Sequence, residues 1–124
     1  MDLYYVFAGN INTPSRVLER LALFREQRVR CHLAENPQLS PDLLQCLAED
    51  QCWEVREAVT HNPATPAALL ERLAADDSPD VRYSVAECLR VPESALEQLA
   101  GDENPYVAER ASRTLLHLRD GAGV

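Results

Sequence analysis

The chain contains no lysine; all twelve basic side chains are arginine. That excludes a Schiff-base or general-base lysine from any mechanism. Glycine is scarce, four in 124 residues, which leaves little room for a phosphate-cradling loop. No GxGxxG, P-loop, GxSxG or HExxH pattern occurs. The four cysteines, Cys31, Cys46, Cys52 and Cys88, form no CxxC pair. Their spacings of 15, 6 and 36 suit neither a zinc knuckle nor a ferredoxin-type cluster, so reduced thiols are expected. No apolar run approaches the ~20 residues of a membrane span. The apolar start Leu3-Tyr4-Tyr5-Val6-Phe7 is too short for a signal peptide and lacks a basic flank, so a cytoplasmic location is the expectation.

What is present is ordinary for one folded domain: 46% hydrophobic and 26% charged residues, with only 6% aromatics. Ala, Leu, Glu and Arg dominate, a mixture that leans to helix. The net charge of −8 disfavours nucleic acid as a partner, because an acidic surface repels phosphates.

The strongest signal is a period of 26 without insertions. Leu18, Leu44, Leu70 and Leu96 fall in one column, and Leu21, Leu47, Leu73 and Leu99 in another, each of the latter followed by Ala. Val29, Val55, Val81 and Val107 form a third column; Leu33, Val59, Val85 and Ala111 form a fourth. Each copy reads as two short helices. The first starts at Thr13-Pro14, Ser40-Pro41 or Thr65-Pro66, a capping oxygen followed by a proline suited to the first turn. Val91-Pro92 keeps the proline and loses the cap. Part of this first helix is expected to be 3-10, since its leucines stand three apart. The second helix is capped at Ser78-Pro79 and Asn104-Pro105 and stops near Asn36-Pro37 and Asn62-Pro63.

The predicted fold is therefore an all-α, right-handed α-solenoid of about four two-helix repeats, 11–36, 37–62, 63–88 and 89–114, in a single domain over 1–124. Residues 1–10 align as a solitary second helix, a half-repeat, with Leu3 under Val29 and Phe7 under Leu33. At the other end Val107, Ala111, Leu115 and Leu118 continue one apolar stripe into a long capping helix. Arg113 and Arg119 are expected near its negative end, before a frayed Gly121-Ala122-Gly123-Val124 tail within 115–124.

Asn62-Pro63-Ala64-Thr65-Pro66-Ala67-Ala68-Leu69-Leu70-Glu71-Arg72-Leu73-Ala74, followed by Val81-Arg82 and Val85-Ala86, resembles the leucine-rich repeat variant family and, more broadly, HEAT-like repeats. The resemblance runs through roughly residues 3 to 118. It implies a superhelix of α and partly 3-10 helices acting as a protein-interaction module. Some relatives of this kind carry an N-terminal cysteine domain with an iron–sulphur cluster; with no cysteine before Cys31, that cofactor is not carried over, and none is expected.

The polar residues divide between scaffold and surface. Asp50 precedes Arg56 by six and Asp76 precedes Arg82 by six, whereas Asp102 meets Ala108 and Phe24 precedes Arg30. Such pairs in helical repeats tie successive copies together, and their repetition argues against an isolated catalytic carboxylate. His32, His61 and His117 lie in different columns or copies about 10 Å apart, too far for a shared metal. The cysteines read as scattered substitutions, small apolar groups and not nucleophiles. No catalytic activity is expected.

What remains is a surface. Between the valines of the second helices run Tyr5, Cys31, Glu57, Tyr83, Glu109 and, four residues on, Gly9, Glu35, His61, Glu87, Arg113. With Glu54 and Asp80 these form an acidic stripe holding Tyr83, expected on the concave wall that solenoids use for recognition. The partner-binding set is Glu35, Glu54, Glu57, His61, Asp80, Tyr83 and Glu87, and the expected partner is a basic peptide or protein. Trp53 and Tyr106 are secondary anchors. Leu3, Tyr4, Tyr5 and Phe7 at the open half-repeat are the expected self-association set, making a homodimer the second reading. A third is an accessory protein for an iron–sulphur or nucleic-acid enzyme.

Overall fold

A computed structural model describes residues 2–122. Among them are nine α-helices and no strand, an all-α fold. The helices are α1 (Leu3–Gly9), α2 (Ser15–Leu21), α3 (Gln27–Ala34), α4 (Pro41–Leu47), α5 (Trp53–His61), α6 (Ala67–Leu73), α7 (Pro79–Ala86), α8 (Glu93–Ala100) and α9 (Pro105–Ala122). The chain divides into two compact units, Met1–Pro66 and Ala67–Val124.

Helices α1 to α8 are seven to nine residues long, too short to persist alone in water, so packing holds them. In the first unit α3 lies between α1 and α5, and α2 and α4 pack on this layer. Leu18, Leu21, Leu44 and Leu47 from one layer and Val29, Leu33, Val55 and Val59 from the other are all at most 3% exposed. The second unit repeats the arrangement with α7 against α9, flanked by α6 and α8. Leu70, Leu73, Leu96, Leu99, Val81, Val85 and Val107 are its core. Each buried Val or Leu contributes roughly 1.5–3 kcal/mol of transfer free energy, so the columns of the period are the fold's main stabilisation.

The helix starts differ in part from expectation. Ser40 accepts the Leu43 amide, Ser78 that of Asp80, and Asn104 those of Tyr106 and Val107, as the caps require. Thr13 does not cap: α2 begins at Ser15, Pro14 takes the cap position, and the Thr13 hydroxyl donates to the Phe7 carbonyl at 2.6 Å. The hydroxyl thereby adds a second bond to a carbonyl at the end of α1 that also accepts the Asn10 amide at 3.2 Å. Pro92 likewise takes the cap position of α8 without a side-chain bond. Among the described residues there is no 3-10 helix; the first helices are α, with three-residue bonds such as Val17 to Pro14 and Leu23 to Arg20 only at their ends.

Two hydrogen-bond ladders tie copies together inside each unit. In the first ladder the arginine fork reaches a carboxylate twenty residues ahead, not the aspartate six behind. Arg30 donates from Nε and Nη2 to Asp50 at 2.8 and 3.2 Å, and Arg82 to Asp102 at 2.8 and 3.3 Å. The position six behind contributes only its backbone: Nη1 donates to the carbonyl of Phe24, Asp50 or Asp76 at 2.6 to 2.8 Å. Any residue supplies a carbonyl, which is why Phe24 is tolerated before Arg30. Asp50 and Asp102 each also accept the amide two residues on, so one carboxylate caps a turn and receives the fork. Burial alone would raise Asp102, but the Arg82 fork and the Asn104 amide outweigh it and hold the carboxyl below its usual range. The Asp50 bond, against a smaller desolvation effect, raises Arg30 further.

The second ladder uses the fully buried asparagines that end the second helices. Asn36 donates to the carbonyls of Ala8 and Asn10 at 2.9 and 3.1 Å. Asn62 does the same to Ala34 and Asn36 at 2.7 and 2.9 Å. In the second unit the matching position is Thr114, whose hydroxyl donates to Ala86 at 2.5 Å.

The ends carry the irregularities. α1 buries Ala8 against α3, but Leu3, Val6 and Phe7 remain 61%, 38% and 40% exposed. α9 runs 18 residues to Ala122, so Gly121 and Ala122 are helical, and only Gly123 and Val124 of the expected tail lie outside the described residues. Val107, Ala111 and Leu115 are buried, and Arg119 in the last turn reaches Glu97 of α8 at 3.0 Å. Arg113 is not at that end; it pairs with Glu109 one turn before, at 2.8 Å.

Candidate functional site

Residues 54, 57 and 61 of α5 stand within 60° of one another around the helix axis, on the side away from Val55 and Val59. The same holds for Asp80, Tyr83 and Glu87 against Val81 and Val85 of α7. Each unit therefore presents its own segment of the expected stripe. In the first, Glu35 and His61 are exposed and Glu54 and Glu57 half-buried. In the second, Asp80, Tyr83 and Glu87 are exposed. None of these five carboxylates makes an ion pair among the described residues.

The segment is not acidic throughout. At the start of α3, Arg28 binds Asp2 at 2.8 Å and places its guanidinium 5.4 Å from the centre of the Tyr5 ring. Tyr5 in turn stacks on His32, ring centres 4.0 Å apart and planes within 6°. A Cβ built on Gly9 would collide with the His32 ring, which is why glycine stands where later copies have Glu35 and His61. Together Tyr5, Arg28, Cys31, His32 and Glu35 line an open hollow of about 540 Å³. Burial, with the Glu54 charge nearby, pushes the Cys31 thiol up, away from the thiolate a nucleophile needs.

With the alternating helices and their columns in place, comparison with family models is informative. Residues 53–78 match the leucine rich repeat variant model, and residues 67–91 the HEAT repeat model. Residues 53–78 thus carry a repeat of the leucine rich repeat variant type. The two matches cut one period in different phases: the first begins at a second helix, α5, and the second at a first helix, α6. Leucine rich repeat variant and HEAT repeats build all-α solenoids and are typical of interaction and scaffold modules. Searches of curated proteins and of solved structures return no match to the chain.

The remaining sequence-selected residues differ in how far they are packed. Tyr4 of the self-association set packs its ring on Phe24, centres 4.8 Å apart, and Tyr5 belongs to the His32 stack; Leu3 and Phe7 stay open. Trp53 is 39% exposed at the first position of α5, and Tyr106 is 74% exposed on α9. All four cysteines are free thiols; Cys46 is exposed, and Cys31, Cys52 and Cys88 are half-buried. Among the described residues no three His, Cys, Asp or Glu side chains are grouped to hold a metal, and no helix is long and apolar enough to cross a membrane.

Sequence reasoning missed the Asp2–Arg28–Tyr5–His32 cluster. Its signal was present: His32 is a ring in a column otherwise filled by Val6, Ala58, Ser84 and Arg110, and Gly9 is the one glycine among Glu35, His61, Glu87 and Arg113. A large residue beside a missing side chain in the neighbouring copy marks a contact.

Proposed function

We propose that the chain is a non-catalytic protein-interaction module whose second helices bind a basic peptide or protein. The observation that carries this reading is the set of unneutralised carboxylates, Glu54 and Glu57 on α5 and Asp80 and Glu87 on α7. This chain neutralises acids where the scaffold needs it, at Asp50 and Asp102, and leaves these open. Carboxylates without an internal cation make the local potential more negative, and that field steers basic ligands.

The test is titration of the full chain with an Arg/Lys-rich peptide of about ten residues, followed by calorimetry at two salt concentrations. Binding that weakens with salt, and is reduced about tenfold in Glu54→Gln/Glu57→Gln, supports the reading. Binding unaltered by those substitutions overturns it.

Self-association is the second reading, and the exposure of Leu3, Val6 and Phe7 favours it. The columns of Leu3 and Phe7 are closed elsewhere, with Val29 and Leu33 fully buried. A sedimenting species that stays monomeric at high concentration removes this reading.

A further inference from the structure

The last copy breaks the acidic pattern toward aromatic and cationic residues. The column of Asp2, Arg28, Glu54 and Asp80 ends in Tyr106; that of Glu35, His61 and Glu87 ends in Arg113. The column of the buried residues Ala58 and Ser84 ends in Arg110. Tyr106, Arg110 and Arg113 stand four and three residues apart on one face of α9, so their side chains neighbour one another. Tyr83 of α7 completes the wall of a hollow of about 110 Å³, with Glu109 at its rim.

Arg110 is the unusual member. Its Nε is sealed from solvent and has no acceptor, and its guanidinium forms no ion pair among the described residues. Arg30 and Arg82 of the ladders, by contrast, each donate to both backbone carbonyls and a carboxylate. A donor enclosed without an acceptor destabilises the fold. Packing, not hydrogen bonding, holds the buried Nε, while Arg110 lines with Tyr83 and Tyr106 a hollow that an acceptor can enter. Arg113 adds a second cation whose partner among the described residues, Glu109, is itself solvent-exposed and therefore weakly bound. Tyrosine and arginine are the residues that dominate binding energy at protein contacts.

We infer that Tyr83, Tyr106, Arg110 and Arg113 form a receptor for a carboxylate on a protein partner, supplied by a Glu or Asp side chain. The guanidinium of Arg110 takes the carboxylate by charge-assisted bonds. The tyrosine rings flank the aliphatic stem of the acidic side chain, and their hydroxyls are free to donate to it. This surface is independent of the carboxylates of α5 and has the opposite charge preference.

The test uses the full chain labelled with ¹⁵N. A short Glu-containing peptide, a Lys-containing peptide of the same length and inorganic phosphate are titrated in turn. The Arg110 Nε–H signal and the amides of 106–113 are read. The expected result is that the Glu peptide alone shifts these signals. Arg110→Met should weaken it about tenfold or more while leaving Tm unchanged or higher, because the methionine removes the unsatisfied donor. Arg110→Lys should restore only part of the affinity, since it keeps charge without the fork. Glu57→Gln should leave the Glu peptide's affinity unchanged, which separates this surface from the acidic one. Equal shifts from phosphate, preference for the Lys peptide, no shift at all, or an Arg110→Met chain that is destabilised but binds as before would each overturn the proposal.

Discussion

Both units close an arginine on an aspartate twenty residues ahead, with donor–acceptor distances that agree within 0.1 Å. Their second ladder differs. The first unit clamps each turn with an asparagine that donates twice, while the second uses the single hydroxyl of Thr114. The tie that needs two matched side chains is the one kept, and the tie that needs only backbone carbonyls on the receiving side is the one that varies. A carbonyl is always present, so a change on the donor side strands no side chain. Losing one member of an ion pair strands a charge.

That comparison is tested most strongly by breaking the ion pairs. Arg82→Met and Arg30→Met should each cost about 3 kcal/mol, since each leaves a largely buried aspartate without its cation. Chemical denaturation of each variant measures this, and a difference of more than a kilocalorie or so between them would show that the two rungs are not equivalent. The asparagine ladder comes next. Asn36→Ala removes both side-chain bonds, to the carbonyls of Ala8 and Asn10, and should cost about 2 kcal/mol, against about 1 for Thr114→Val. Equal costs in thermal melts would deny that the second donor contributes.

The smallest effect is in acid. Asp102 has a folded pKa below its unfolded value near 3.9. Its contribution is therefore complete above that value and is lost as pH falls through the lower folded pKa. Stability measured from pH 5 down to pH 2 should decline, and Asp102→Asn should flatten the decline, having already lost part of the stability at neutral pH.

The helices and core were legible because they rest on period and hydrophobicity: every leucine and valine of the four columns is buried or nearly so. The arginine partners were legible only in kind. Sequence places Asp50 six before Arg56, and proximity along the chain suggests that pair, but a side chain on one helix reaches the start of the next copy more readily than its own. Reading the columns at a separation of twenty instead of six also accounts for Phe24. Tyr4 stands in the arginine column and Phe24 in the aspartate column, and their rings pack together, so an aromatic rung replaces an ionic one. Of the binding surface, the residue types could be read, but not that Arg110 would lack an acceptor; that depends on packing and has no periodic signature.

The ladder spacings restrict how such a chain changes length. The ties span 20, 26 and 28 residues, and each joins one copy to the next. Adding or removing one whole copy re-forms all three with new members. Any other insertion inside a helix pair changes the spacing of every tie that spans it at once. A gene encoding this fold grows or shrinks in quanta, and surface loops are the only place where smaller edits survive.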